Sequence, residues 1–422
     1  MGYLLFFIYL LVFAWVLVKI PFIKNAGIST RIILLIFILK VIAGVVNGWQ
    51  LAHVNYLADV WIYHNEGVKE YHLLFSNPKE YFLNFFQSNY STYGSFNATT
   101  NSYWNDLKSN VMIKLDSLFD ILSFGNYYVN TVFYNFIVFF GGIALFRIFT
   151  DVYNNRKCEL IVACFLLPSL LYFGSSIHKD GLILLAISGI VYHIHQSLKT
   201  SRISISAIIT ILIASVFIFF LRSYILLMLL PAVVAWILSY YNKRKTLLVF
   251  SCIYIIGIVV FFNADKINSR FSLPEKVVTK QKDFLLLPAS STNIPVNELQ
   301  PTFKSFFGNA PQAINHSLMR PSIKDAFHYA KYLFPFAGEV FIYELLLLAS
   351  ILFIIKFRKF NPDPLIAFCL FFALSICLII GYTIPVIGAV IRYRSIYLPF
   401  LIAPVLCNVN WRFWNKHSQI KN

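Results

Sequence analysis

Residues 203–240 read ISISAIITILIASVFIFFLRSYILLMLLPAVVAWILSY, and Arg222 is their only charged residue. As a helix, about 20 apolar residues cross the hydrocarbon core of a bilayer. A run about twice that length predicts two spans, 203–221 and 224–240, separated at Arg222. Arg222 then falls at the external end of the first of them, where its guanidinium either snorkels to lipid headgroups or binds a lipid-linked phosphate.

The same pattern continues in both directions. Runs long enough to span occur at 3–20, 31–49, 128–148, 158–174, 181–197, 246–262, 333–355, 364–381 and 395–411. The fold class predicted is an all-α polytopic membrane protein with about 11 transmembrane helices, forming one polytopic domain over 1–422. Composition agrees, because 59% of the 422 residues are hydrophobic and only 13% are charged. A water-soluble chain would have too little polar surface to cover that content.

The net charge of +17 would suggest nucleic acid in a soluble protein. Here the basic residues gather in short loops, Lys19, Lys24 and Arg31, then Arg147, Arg156 and Lys157, then Lys199 and Arg202, then Lys243, Arg244 and Lys245. Lys356, Arg358, Lys359, Arg412 and Lys416 continue the series. The positive-inside rule makes that side the cytoplasm, with the N-terminus external and the C-terminus internal, and no nucleic-acid partner is expected. The first apolar run lacks a basic leader and a small-residue cleavage site, so it reads as a retained helix. Six cysteines lie in or beside apolar runs without metal-like spacing and read as packing residues.

Two long segments, 50–127 and 263–332, are expected outside. In the first, PKEYFLNFFQSNY (78–90) and NVMIKLDSLFDILSF (110–124) carry apolar residues at helical spacing and predict interfacial amphipathic helices on the membrane plane. The second mixes charge, Pro, Ser and Asn and reads as a partly ordered cap or lid. No internal repeat, Walker loop, HExxH, GxSxG or dinucleotide fingerprint is present.

With the cytoplasmic cations explained by topology, charges elsewhere carry the functional signal. His178, Lys179 and Asp180 occupy a helix-to-helix turn; Lys179 and Asp180 either pair at a helix N-terminus or serve a phosphate or sugar. Arg392 and Arg394 flank Tyr393 in what reads as a short external turn, and guanidinium forks match diphosphate oxygens. Arg320 precedes a span holding Glu339 and Glu344, which lie about 140° apart on a helix, with Glu339 nearer the external end. Asp59 stands early in the first external segment with His53, His64 and Glu66, at a spacing that matches no strong metal-ligand pattern. Lys40 lies inside the second span, able to snorkel or pair with a carboxylate.

Three segments, PSLLYFGSSIHKDGLI (168–183), LMRPSIKDAFHYAKYLFPFAGEVF (318–341) and GYTIPVIGAVIRYRSIYLPFL (381–401), cover about a seventh of the chain. Through them the sequence resembles bacterial multispanning polysaccharide-assembly proteins, including O-antigen and capsule repeat-unit polymerases and related lipid-linked glycosyltransferases. The resemblance implies a C-type glycosyltransferase-like body in the inner membrane and a polyprenyl-diphosphate-linked oligosaccharide as substrate. It also implies membrane lipids and other polysaccharide-assembly proteins as partners. By the same resemblance, Lys179, Arg320, Arg392 and Arg394 would meet the phosphates, with His178, Arg222 and Tyr393 beside them, and Asp180, Glu339 or Asp59 would act as base. The first external segment lacks a clear paired-acid motif, so no metal and no cofactor are expected. A flippase or transporter of a lipid-linked oligosaccharide would use the same cations without chemistry, and a non-catalytic complex subunit would need no such convergence.

Overall fold

The computed structural model describes residues 2–54, 58–87, 103–268, 272–288, 290–357 and 362–408. Among them there is no β-strand, only a single isolated bridge between Asn293 and Val386. The long helices are α1 Gly2–Lys19, α2 Thr30–Val54, α3 Asp59–Ser76, α4 Tyr103–Ser123, α5 Tyr127–Val152, α6 Lys179–Thr200 and α7 Ile205–Tyr240. They continue with α8 Thr246–Asn263, α9 Leu273–Leu285, α10 Phe303–Leu318, α11 Phe334–Phe357, α12 Pro364–Thr383 and α13 Ile387–Asn408.

Among the described residues nine helices are long and apolar enough to cross a membrane, and the broken pair Lys157–Leu166 and Pro168–Gly174 makes a tenth candidate. Pro168 accounts for the break, because proline disfavours helical backbone at the residue before it and Leu167 is extended. A helix satisfies its own backbone polar groups, which lipid cannot do. The chain is thus an all-α, multi-pass membrane protein. The difference from the count of about 11 lies in α7, where two helices joined at a kink run as one element of 36 residues. Its one non-helical residue is Arg222, at φ −152° and ψ 79°, where the sequence separates two spans.

The chain divides into two compact units, residues 1–147 with 169–223, and residues 148–168 with 224–422. In the first, Val60, Tyr63, Met112, Tyr127, Tyr134, Val138, Ile177 and Leu182 form one core joining α3, α4, α5, the 175–178 turn and α6. The helix α4 is inverted relative to a helix in water. Asp116, Ser117, Asp120 and Ser123 face inward and are buried, whereas Leu118 and Leu122 are about half exposed. Such an arrangement suits an apolar surround with a polar interior. The segment 78–90 contributes a short helix, Pro78–Leu83, and a 3-10 turn, Asn84–Phe86; its remainder from 88 lies outside the described residues.

In the second unit, Val278, Leu299, Phe306, Ala313 and Tyr382 form a core between α9, α10 and α12. Gly381 is required there, since a Cβ would overlap the backbone of Ala313. The segment expected to be a partly ordered lid is packed against the α12–α13 connection. Ile294 N–H donates to Pro385 O at 2.8 Å, Ile387 N–H donates to Thr292 O at 3.0 Å, and Gln281 Nε2 donates to Tyr382 O at 2.8 Å. Arg358, Lys359, Arg412 and Lys416, part of the orientation argument, lie outside the described residues.

Candidate functional site

In the first unit the turn before α6 gathers His178, Lys179, Asp180 and Arg222. Asp180 lies in the first turn of α6, where a carboxylate suits the helix dipole, and meets Arg222 at 2.5 Å. Both side chains are buried, at 1% and 9% exposure. Asp180, which the sequence assigns either to Lys179 or to a phosphate or sugar, pairs with Arg222. Lys179 is half-buried, with its ammonium 5.1 Å from the Tyr63 ring centre. The backbone of the turn is fixed from below. Tyr134 Oη donates to His178 O at 2.5 Å, Asn135 Nδ2 donates to Ser175 O at 2.8 Å, and Lys40 Nζ donates to Ser175 Oγ at 2.9 Å. Lys40 is buried and has no carboxylate partner among the described residues. Asp59, the first residue of α3, is exposed.

A second polar cluster sits in the same unit. His64 Nδ1 and Asp116 Oδ2 are 2.9 Å apart, and Asn130 Nδ2 donates to Asp116 Oδ1 at 3.0 Å and to Asp120 Oδ1 at 2.7 Å. Burial opposes charge on His64, but the Asp116 hydrogen bond and the carboxylates of Asp116 and Asp120 outweigh it and hold its pKa above the usual value. Burial, then repulsion from Asp116, pushes Asp120 up to about 6. The sequence reading considered His64 with its sequence neighbours and passed over Asp116 and Asp120, whose i, i+4 spacing puts both on the inward stripe of α4.

No family model matches the chain, and no curated protein or solved structure matches it.

In the second unit Arg394 is wholly buried. Its Nη1 donates to Arg320 O at 2.6 Å and Tyr343 Oη at 3.0 Å, and its Nη2 lies 3.5 Å from Glu339 Oε2. Tyr343 Oη in turn donates to Leu318 O. The Arg320 side chain faces Asp325 at 3.2 Å, and Asp325 also closes a capping box with Ser322 at the start of Ile323–His328. Arg392 is half-buried beside Tyr393, donating to its hydroxyl at 3.2 Å.

These positions correct the reading of Arg392 and Arg394 as an external turn. Both lie inside α13, which begins at Ile387 just after Pro385, and Arg394 ties three segments together. Within this unit the structure unites Arg320, Glu339 and Arg394, while Glu344 lies apart on α11 and half-buried.

Proposed function

We propose that this protein is a membrane transferase or polymerase acting on polyprenyl-diphosphate-linked glycans at the external face of a bacterial inner membrane. The observation carrying the reading is the break in α7 at Arg222, held by Asp180 beside Lys179. Irregular backbone inside an apolar helix is tolerated where it is buried in protein or lines a polar cavity, and ionisable groups there mark substrate paths.

In the reaction an acceptor hydroxyl oxygen forms a bond to the anomeric carbon, the bond from that carbon to the phosphate oxygen breaks, and the lipid diphosphate leaves with the electron pair. Lys179 and Arg222 supply positive charge to the departing oxygens, and Asp180 positions Arg222. The acceptor's proton goes to a carboxylate. Asp180 and Glu339 are buried, whereas Asp59 is exposed, and we assign the proton to Asp59 on that ground.

A flippase reading draws on one specific observation. Lys40, buried within α2, places a basic side chain away from the helix ends. Chain length of surface polysaccharide on a gel separates these readings from a structural role. Deletion of the gene should leave single repeat units, and expressed Lys179→Ala and Asp59→Asn variants should fail to restore the ladder. Unchanged polysaccharide in the deletion strain would overturn glycan assembly altogether.

A further inference from the structure

Across the described interior, buried carboxylates are matched by arginines: Asp180 by Arg222, Asp325 by Arg320, Glu339 by Arg394. Asp116 and Asp120 depart from this. Both are wholly buried on α4, and among the described residues neither meets a Lys or Arg. Lys114 on the same helix turns to Glu70 at 2.5 Å. The one basic group beside the pair is His64, 52 positions before Asp116 and on a different helix.

We propose that His64, Asp116 and Asp120 form a binding site for one divalent transition-metal ion, a site independent of the glycan chemistry above. One donor atom from each residue can be chosen so that all lie within 4.8 Å of one another. Around an ion with bonds of about 2.0–2.2 Å, adjacent donors stand about 3.0–3.4 Å apart, so a small closure of the present arrangement suffices. His64 Nδ1 and Asp116 Oδ2, 2.9 Å apart, are joined by a hydrogen bond whose proton the ion would displace.

The second observation is an open donor. Asp120 Oδ1 receives Asn130 and Ser123, but its Oδ2 is buried with no hydrogen-bond partner among the described residues. A buried carboxylate oxygen left without a partner is costly unless a cation or water completes it. A divalent ion meets that need and also balances charge, since two carboxylates and a neutral imidazole sum to −2. The imidazole favours a transition ion such as Mn2+ or Zn2+ over Ca2+ or Mg2+, which prefer all-oxygen sets. Asn130, donating to both carboxylates, is then the outer partner that fixes their orientation.

The test uses full-length protein in lipid nanodiscs, stripped with a chelator, dialysed, and titrated separately with Mn2+ and Zn2+. Bound metal is counted by mass spectrometry, and the local environment of Mn2+ is read by paramagnetic resonance. One ion per chain is expected in the wild type, together with a metal-dependent rise in its melting temperature. Asp120→Asn keeps the shape and the Oδ1 hydrogen bonds but removes the charge, so it should bind at least tenfold more weakly. Wild-type protein that binds no ion after stripping, or Asp116→Asn and Asp120→Asn variants that retain wild-type stoichiometry and affinity, would overturn the proposal. If a variant fails to fold, the wild-type stoichiometry and melting shift decide alone.

Discussion

Arg394 Nη2 lies 3.5 Å from Glu339 Oε2, with the two side chains at 0% and 2% exposure, so α13 and α11 share one ion pair sealed from solvent. Removing one partner strands a charge, which typically costs about 3–5 kcal/mol, whereas removing both leaves an apolar contact. Arg394→Met and Glu339→Gln should each sharply lower the melting temperature in detergent. The double variant should lose less than the sum of the two, as a double-mutant cycle measures. Additive losses would mean that Arg394 acts through Tyr343 and Arg320 alone.

Close packing of α10 on α12 depends on Gly381, where an added Cβ would overlap the Ala313 carbonyl. Gly381→Ala should destabilise by about 1–3 kcal/mol, the usual cost of overpacking. Gly257, on the outward-facing α8, has nothing within 4 Å of its Cβ position. Gly257→Ala should leave thermal stability unchanged or slightly raised, because alanine is the better helix former. Equal melting temperatures for the two variants would contradict the packing described.

His316, buried on α10, has its pKa lowered by burial first and then by the Arg320 charge, with Asp325 partly offsetting both. Since the folded pKa lies below the unfolded value of about 6.5, the unfolded chain takes up the proton first as pH falls. Stability should therefore hold above that value and fall as the solution is acidified toward the folded pKa. His316→Gln should flatten this part of a melting-temperature profile between pH 7 and 5. An unchanged profile would show that another group is responsible.

Spans were legible because length and hydropathy alone decide them, and Arg222 marked the break in α7 from its charge alone. Arg394 was legible as an exceptional residue but not as a buried one. Counting apolar residues starts the last span at 395, yet the helix starts at Ile387, because Glu339 and Tyr343 on another element neutralise what hydropathy counts as an obstacle. The cluster around His64 was illegible for a related reason. Ligand spacing is a local signal, and its partners stand on a helix 52 positions away. The inward aspartates of α4 did carry a trace, the i, i+4 pair within NVMIKLDSLFDILSF, which was read only for its apolar face.

The most direct measurement is made on purified protein reconstituted into vesicles carrying a polyprenyl-diphosphate-linked glycan, following glycan length and movement between leaflets separately. The account predicts extension or transfer of the glycan with release of the lipid diphosphate, diminished at least tenfold by Lys179→Ala. Movement of the glycan across the bilayer with its length unchanged would contradict it and establish the flippase reading.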